Sequence, residues 1–257
     1  MGSSEPDSVA VNRELWTRSN ADYTDRQALG KWLQPEPDWG VWGIPESELH
    51  ALPDVNGLDV VELGCGTAYI SAWLARRGAR PVGVDPTPAQ LETARRCMAE
   101  TGIEFPLVEA AGESVPLPDA SADLVISEYG ASIWADPERW IPEAARLLRP
   151  GGELLFLRGS TLALLCSPDA GPVDTQLHRD YDRLGRVDWR HEDAGIEYHL
   201  PPGELIRVLR ENGLSVEALI ELRAPEGASK HEYYDTVDVE WARRWPAEEI
   251  WKAHKTG

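Results

Sequence analysis

The segment Val60-Val61-Glu62-Leu63-Gly64-Cys65-Gly66-Thr67-Ala68 limits what this chain can fold into more than any other feature. A short apolar run ends in an acid two residues before a Gly-x-Gly turn, and a helix-compatible stretch follows at once. Glycines in such a turn let the backbone approach a ligand closely. The first turn of the helix behind them leaves N–H donors pointing outward. Nineteen residues beyond Gly66, Asp85 closes a second apolar run, where a carboxylate can grip a ribose diol.

The pattern around this segment alternates. Strands are expected at 58–63, 81–85, 104–108, 122–127 and 153–158, with helices between them at 67–77, from Pro88 to about Thr101, and 138–148. The signals are Asp85-Pro86-Thr87-Pro88 and Asp136-Pro137 at helix starts and Pro150-Gly151-Gly152 at a stop. Strands alternating with helices imply an α/β fold, a doubly wound and mostly parallel sheet. Ahead of it, 9–33 has a helix-compatible pattern, and the loop 34–45 breaks it with three prolines and two glycines while carrying Trp39 and Trp42. Behind it, helices are expected at 173–184 and 201–212, a strand at 214–222, and a helical tail over 230–255 with Trp241 and Trp245 at i,i+4. The organisation expected is a single domain: a helical lid at 1–50, a nucleoside-binding core at 51–158, a substrate-side insertion after strand 5 at 159–202, and the rest of the core with its tail at 203–257.

Composition narrows the class. The chain of 257 residues sets 44 Asp+Glu against 25 Lys+Arg, a formal net charge of −19, which argues against a nucleic-acid partner because phosphate backbones need clustered Lys/Arg. No window approaches a membrane span and the start lacks a signal-peptide pattern. Cys65, Cys97 and Cys166 are far apart with no CxxC, so neither a disulfide framework nor a metal site is expected, and the compartment expected is a reducing cytoplasm.

The turn also discriminates among nucleoside cofactors. Thr67, Ala68 and Tyr69 follow Gly66, so the third glycine of a dinucleotide fingerprint is missing, and no phosphate-binding GxxxxGK[ST] occurs. The acid at Glu62 suits a cofactor with an amino-bearing or cationic chain and no pyrophosphate.

With these motifs in order, the sequence resembles the class I S-adenosylmethionine-dependent methyltransferases, most closely their small-molecule branch. The carriers are the VELGCGT segment, the Gly83-Val84-Asp85 strand end, Gly112-Glu113-Ser114-Val115-Pro116-Leu117-Pro118-Asp119, the strand Ala122-Asp123-Leu124-Val125-Ile126, and Arg146-Leu147-Leu148-Arg149-Pro150-Gly151-Gly152. The resemblance runs from about Val60 to Phe156 and loosely to Leu222. It implies a Rossmann-like fold, S-adenosylmethionine as cofactor and S-adenosylhomocysteine as product. Gly64, Cys65 and Gly66 would line the methionine and ribose portion, with Glu62 close behind. Asp85 would bind the ribose hydroxyls, Pro86 and Gln90 would border the adenine, and Gly112 and Glu113 would meet the adenine ring. Glu128 and Tyr129 would sit beside the methionine part and the transferred methyl, and Tyr23 would be a lid contact. One departure stands out: the family often has Asp before the Gly112-Glu113 pair, and this chain has Ala111.

The expected function is methyl transfer to a small, apolar or aromatic acceptor under a lid built from Trp16, Tyr23, Trp39, Trp42, Trp189, Tyr233 and Tyr234. A base is optional; candidates are Glu128, Tyr129 and His231, with His191 and His199 behind them. Two other readings compete: a non-catalytic S-adenosylmethionine-binding or partner module, and a nicotinamide-dependent oxidoreductase. Acceptor atom and oligomeric state are not legible. The tail reads helical rather than extended, which puts the family's seventh strand in question.

Overall fold

The apolar run before the glycine turn becomes the central strand of a seven-stranded sheet. A computed structural model describes residues 7–189, 195–230 and 236–257. The strands are β1 (Asp59–Leu63), β2 (Arg80–Asp85), β3 (Leu107–Glu109), β4 (Ala122–Glu128), β5 (Leu148–Gly159), β6 (Leu214–Leu222) and β7 (Glu248–Lys255). Their order is β6-β7-β5-β4-β1-β2-β3, parallel from β3 through β5, with β7 antiparallel to both of its neighbours. Strand order reverses between β1 and β4, and the crevice beyond the carboxyl ends at such a point is where open α/β sheets take their ligands.

Alternate residues feed two cores, as the period of a strand requires. Val61, Leu154 and Phe156 face a cluster with Trp140, Leu209 and Trp251, whereas Val60, Leu155 and Leu157 face one with Trp73, Leu74 and Ile250. The flanking helices include α1 (Ser8–Ser19), α2 (Asp25–Leu33), α3 (Tyr69–Arg76), α4 (Pro88–Thr101), α5 (Ala131–Trp134), α6 (Pro137–Leu147), α7 (Pro202–Glu211) and α8 (Val239–Arg244).

The alternating core matches the sequence expectation, and three segments do not. The single helix expected over 9–33 is interrupted at Asn20–Thr24 by a π turn, in which the Asp25 amide donates to Asn20 O. The Asn20 side chain is buried and donates to Ala89 O and to Thr93 Oγ1 of α4, so the bulge is held by tertiary contacts.

The helix expected at 173–184 does not form; only the 3₁₀ turn Tyr181–Arg183 does. Its amides go elsewhere: Val173 N donates to Thr236 O, Asp174 N to Cys166 O and His178 N to Leu165 O. The Asp174 carboxylate takes the Gln176 amide at 2.7 Å, a local bond that competes with helix.

The helical tail is the third correction. Residues 248–255 form β7, the strand the sequence left in question, and pair along almost their whole length with β5 and β6. Ile250 and Trp251 favour strand but Glu248, Glu249, Lys252 and Ala253 do not; two ready strand edges decide that mixed local preference. Trp241 and Trp245 do lie together, centroids 5.4 Å apart, but Trp241 is buried against Ala163, Cys166 and Ala224 of its own chain. Among the described residues, no helix is long and apolar enough to cross a membrane.

Candidate functional site

At the switch point β1 ends and the chain must turn sharply. Gly64 sits at φ +74, and a Cβ there would lie 2.5 Å from both Gly130 Cα and Ala131 N, so the loop after β4 can close on it only because it is glycine. Gly64 N and Cys65 N both donate to Val84 O, which ties the turn to β2. Trp32 of α2 donates its indole N–H to Thr67 O at 2.8 Å and fixes the turn from above.

Asp85 closes the same turn from the side. Its Oδ2 accepts the Gly66 amide at 2.9 Å and its Oδ1 the Thr87 amide at 2.8 Å. Burial raises its pKa, and those two amides counter the rise. The Thr87 hydroxyl also favours the charged form, and the carboxylate keeps lone-pair capacity for an incoming hydroxyl. Glu62 lies behind the turn, 3% exposed, with Oε2 accepting the amide and hydroxyl of Ser71. Desolvation pushes its carboxyl up to about 8 against the pull of Ser71, with Glu128 and Asp85 adding repulsion.

A cleft opens along these carboxyl ends with an empty volume of about 1370 Å³ including its mouth. Every residue expected to hold the cofactor borders it, from Tyr23 and Glu62 through the glycine turn, Asp85, Pro86 and Gln90 to Gly112, Glu113, Glu128 and Tyr129. The Glu113 side chain is nevertheless committed to the fold: Oε1 accepts the Asp136 amide at 2.9 Å, and Oε2 meets Arg139 Nη1 at 2.9 Å. The departure at Ala111 is therefore not made good by a free Glu113 carboxylate.

The far wall carries Glu128 and Tyr129. Glu128 Oε2 accepts the Tyr69 hydroxyl at 2.6 Å, and burial raises its pKa. Tyr129 occupies the left-handed region at φ +50, a conformation that costs a non-glycine residue of the order of 1–3 kcal/mol and persists only where surroundings enforce it. Its hydroxyl donates to Glu248 Oε1 at 2.7 Å. Glu248, from β7, is 1% exposed and also accepts the Val41 amide at 2.9 Å; desolvation carries its carboxyl to about 7.

Other expectations fall away from the cleft. Trp39 is buried beneath it and donates its N–H to Glu46 Oε2 at 2.6 Å. Trp42 and Trp189 do not line it, and His199 is buried beside Glu197, 2.7 Å away, outside the cleft. His191, His231, Tyr233 and Tyr234 lie outside the described residues. Sequence reasoning also missed contributors. Asn12, Lys31, Tyr69 and Trp134 border the cleft, and Glu248 stands behind Tyr129. Tyr69 could have been found as the first residue of the helix behind the turn; Glu248 gave no signal, because its strand was read as helix.

A glycine turn braced by a buried strand-end carboxylate, at the switch point of a mostly parallel sheet, defines a nucleoside-binding α/β protein. Residues 61–156 match the methyltransferase domain family. A 127-residue stretch is 41% identical to an uncharacterized methyltransferase of Mycobacterium tuberculosis, covering 49% of this chain and 48% of that protein, so the match spans about half the length of that relative. Over 160 residues the chain is 30% identical to a ubiquinone biosynthesis O-methyltransferase of a Methylobacterium species, covering 62% of this chain and 61% of the relative. The fold is shared with an S-adenosylmethionine-dependent methyltransferase from Mesorhizobium loti at a TM-score of 0.66 and 24% identity, over 84% of this chain and 100% of that one. Residues 61–156 therefore form a methyltransferase domain, on a fold shared with S-adenosylmethionine-dependent methyltransferases. The family's cofactor fits the residues present: an acid-rich cleft for a cationic ligand, and a braced carboxylate with spare lone pairs for a diol.

Proposed function

We propose that this protein transfers the methyl group of S-adenosylmethionine to a small-molecule acceptor of apolar or aromatic character. The observation that carries the reading is the cleft itself, with Asp85 and the Gly64–Gly66 turn at one end and Glu128 and Tyr129 at the other. Asp85 would take the ribose hydroxyls, Gly64 to Gly66 the ribose and methionine portion, and Pro86, Gln90 and Gly112 the adenine. Glu62 would act through Ser71 and the turn. Bound there, the cofactor supplies a methyl group made electrophilic by a sulfonium. The protein's task is then to hold a nucleophile in line with it, and orientation of that kind can supply about 7–11 kcal/mol of a barrier.

Trp16 and Trp134, edge to face with centroids 5.4 Å apart, give the cleft an aromatic side suited to a flat apolar acceptor. The Asn12 side chain donates to Trp134 O and Ile196 O and accepts the Ile196 amide, holding α1 over that side as a lid. The relative named for ubiquinone biosynthesis supports a small acceptor. The same reading keeps the protein in a reducing cytoplasm, with Cys65, Cys97 and Cys166 as buried free thiols.

Calorimetric titration with S-adenosylmethionine, S-adenosylhomocysteine and NADH tests the reading. Binding of both sulfur nucleosides, lost in Asp85→Ala, supports it; transfer of a labelled methyl to members of an acceptor panel of phenols and quinols then completes it. Binding of NADH alone, or of none of the three, rejects it. Binding without transfer to any acceptor leaves a non-catalytic module.

A further inference from the structure

A carboxyl on the far wall of the cleft, Glu128, and one behind that wall, Glu248, are built alike. Glu128 accepts the Tyr69 hydroxyl at 2.6 Å, and the backbone amide of Gly40 lies close enough to favour its charged form. Glu248 accepts the Tyr129 hydroxyl at 2.7 Å and the backbone amide of Val41 at 2.9 Å. Each thus receives one phenol and faces one of two consecutive loop amides. Gly40 and Val41 border the cleft, as do both tyrosines. The loop can run this close because position 40 is glycine: at φ +68, a Cβ there would fall within 2.6 Å of the Glu248 carboxylate.

Neither carboxyl has an ion-pair partner among the described residues, and the buried Glu248 Oε2 accepts nothing. The neighbouring cation, Lys31, attracts Glu128 but is bridged to Asp38 at 3.0 Å. The other titratable groups that act on the pair among the described residues are Asp38 and Glu62, with Tyr69 and Tyr129 as donors, none of them cationic. A pair of this kind resists ionisation while the one neighbouring cation is held by Asp38, and ionises when a further positive charge enters.

We propose that Glu128 and Glu248 form a proton-storing pair that reads the charge on the cofactor's sulfur, ionised opposite a sulfonium and protonated opposite a thioether. The inference rests on the cofactor assignment above. In the transfer step the S–CH₃ bond breaks and its electron pair stays on sulfur, while the acceptor atom forms the new bond to carbon. The proton that the acceptor atom loses goes to one carboxylate of the pair, directly or through its phenol, and leaves to solvent with the products. Charge balances within the cleft, because the sulfonium disappears as the carboxylate is neutralised.

The test needs no acceptor. S-adenosylmethionine and S-adenosylhomocysteine share every titrating group and differ in the sulfonium methyl. Each is titrated calorimetrically at pH 7 in phosphate and in Tris, whose ionisation heats differ, which yields protons exchanged per ligand bound. The expected result is that S-adenosylmethionine releases about half a proton or more beyond S-adenosylhomocysteine, and that the excess falls by at least about half in Glu248→Gln and in Glu128→Gln. Equal proton exchange for the two ligands in the wild type, or an undiminished excess in both variants, overturns the proposal while leaving the cofactor assignment intact. Failure of either ligand to bind the wild type rejects the assignment and the proposal together. Should a variant not fold, the wild type alone decides: its preference for S-adenosylmethionine over S-adenosylhomocysteine should rise between pH 6 and pH 8, by up to about tenfold per pH unit, and a flat preference overturns the pair.

Discussion

The Asp85 carboxylate reaches back 19 residues to accept the Gly66 amide at 2.9 Å, so the residue assigned to the ribose also sets the shape of the turn meant for the rest of the cofactor. Its second oxygen holds the Thr87 amide at the entrance to α4. Asp85→Asn would keep one acceptor and set an NH₂ group against the other amide. The expected outcome is a loss of about 1–3 kcal/mol in both thermal stability and S-adenosylhomocysteine affinity, read by denaturation and calorimetry. Loss of stability with unchanged affinity would show that Asp85 only braces the turn.

Glu62 and Glu248 give the protein an inverted response to mild acid. Their folded carboxyls lie at about 8 and about 7, above the ordinary 4.5, because burial disfavours the charged form. The protonated forms are therefore favoured by folding. That contribution is complete below the unfolded value and is lost as pH rises through the folded ones. Unfolding free energy of the ligand-free protein should increase by roughly 2 kcal/mol per pH unit from pH 8 down to pH 5.5, measured by urea denaturation. Glu62→Gln should flatten most of that slope; an unchanged slope would mean that Glu62 titrates normally.

Gly40→Ala is expected to act at a distance from its own position. Its Cβ would press on the Glu248 carboxylate, 2.3 Å from Oε1, at a φ of +68 that side chains rarely adopt. A cost of about 2–4 kcal/mol in chemical denaturation is expected, together with faster amide exchange at Val41. A variant as stable as the wild type would show that the loop does not pack against β7.

Glu113→Ala separates a structural acid from a nucleobase contact. The carboxylate receives the Asp136 amide at the start of α6 and pairs with the largely exposed Arg139. Removing it should cost about 1 kcal/mol of stability and change S-adenosylhomocysteine affinity by less than about threefold. A tenfold affinity loss at unchanged stability would return Glu113 to the adenine.

Asn12→Ala should loosen the lid without touching the cofactor end. Asn12 is buried and exchanges hydrogen bonds with Ile196 and Trp134 that an alanine leaves unmet. Protease cleavage within 8–33 should accelerate by roughly tenfold or more, in line with about 1–3 kcal/mol of lost bonding. Equal cleavage rates would place the latch elsewhere.

The sequence disclosed most where chemistry and backbone geometry are local. The turn at Gly64 needs a positive φ, α4 starts at its proline and ends at Gly102, and the acid at Asp85 marks a strand end, so these positions could be read in order, while Pro86, Gln90, Gly112, Glu128 and Tyr129 came from the resemblance to the methyltransferases. The helix expected at 173–184 failed because Val173, Asp174 and His178 give their amides to distant partners, which no periodicity reveals.

By itself the sequence determined the parallel core, the switch-point crevice and the Gly64–Gly66 turn and Asp85 at its edge, because glycine, proline and strand-end acids impose their geometry within a few bonds. Only the tertiary structure decided that residues 248–255 would be a strand. Their local preference is mixed, whereas the unpaired edges of β5 and β6 offer a hydrogen-bond partner on either side. That choice sets Glu248 behind Tyr129, and gives the cleft a buried carboxyl that nothing near it in the chain foretells.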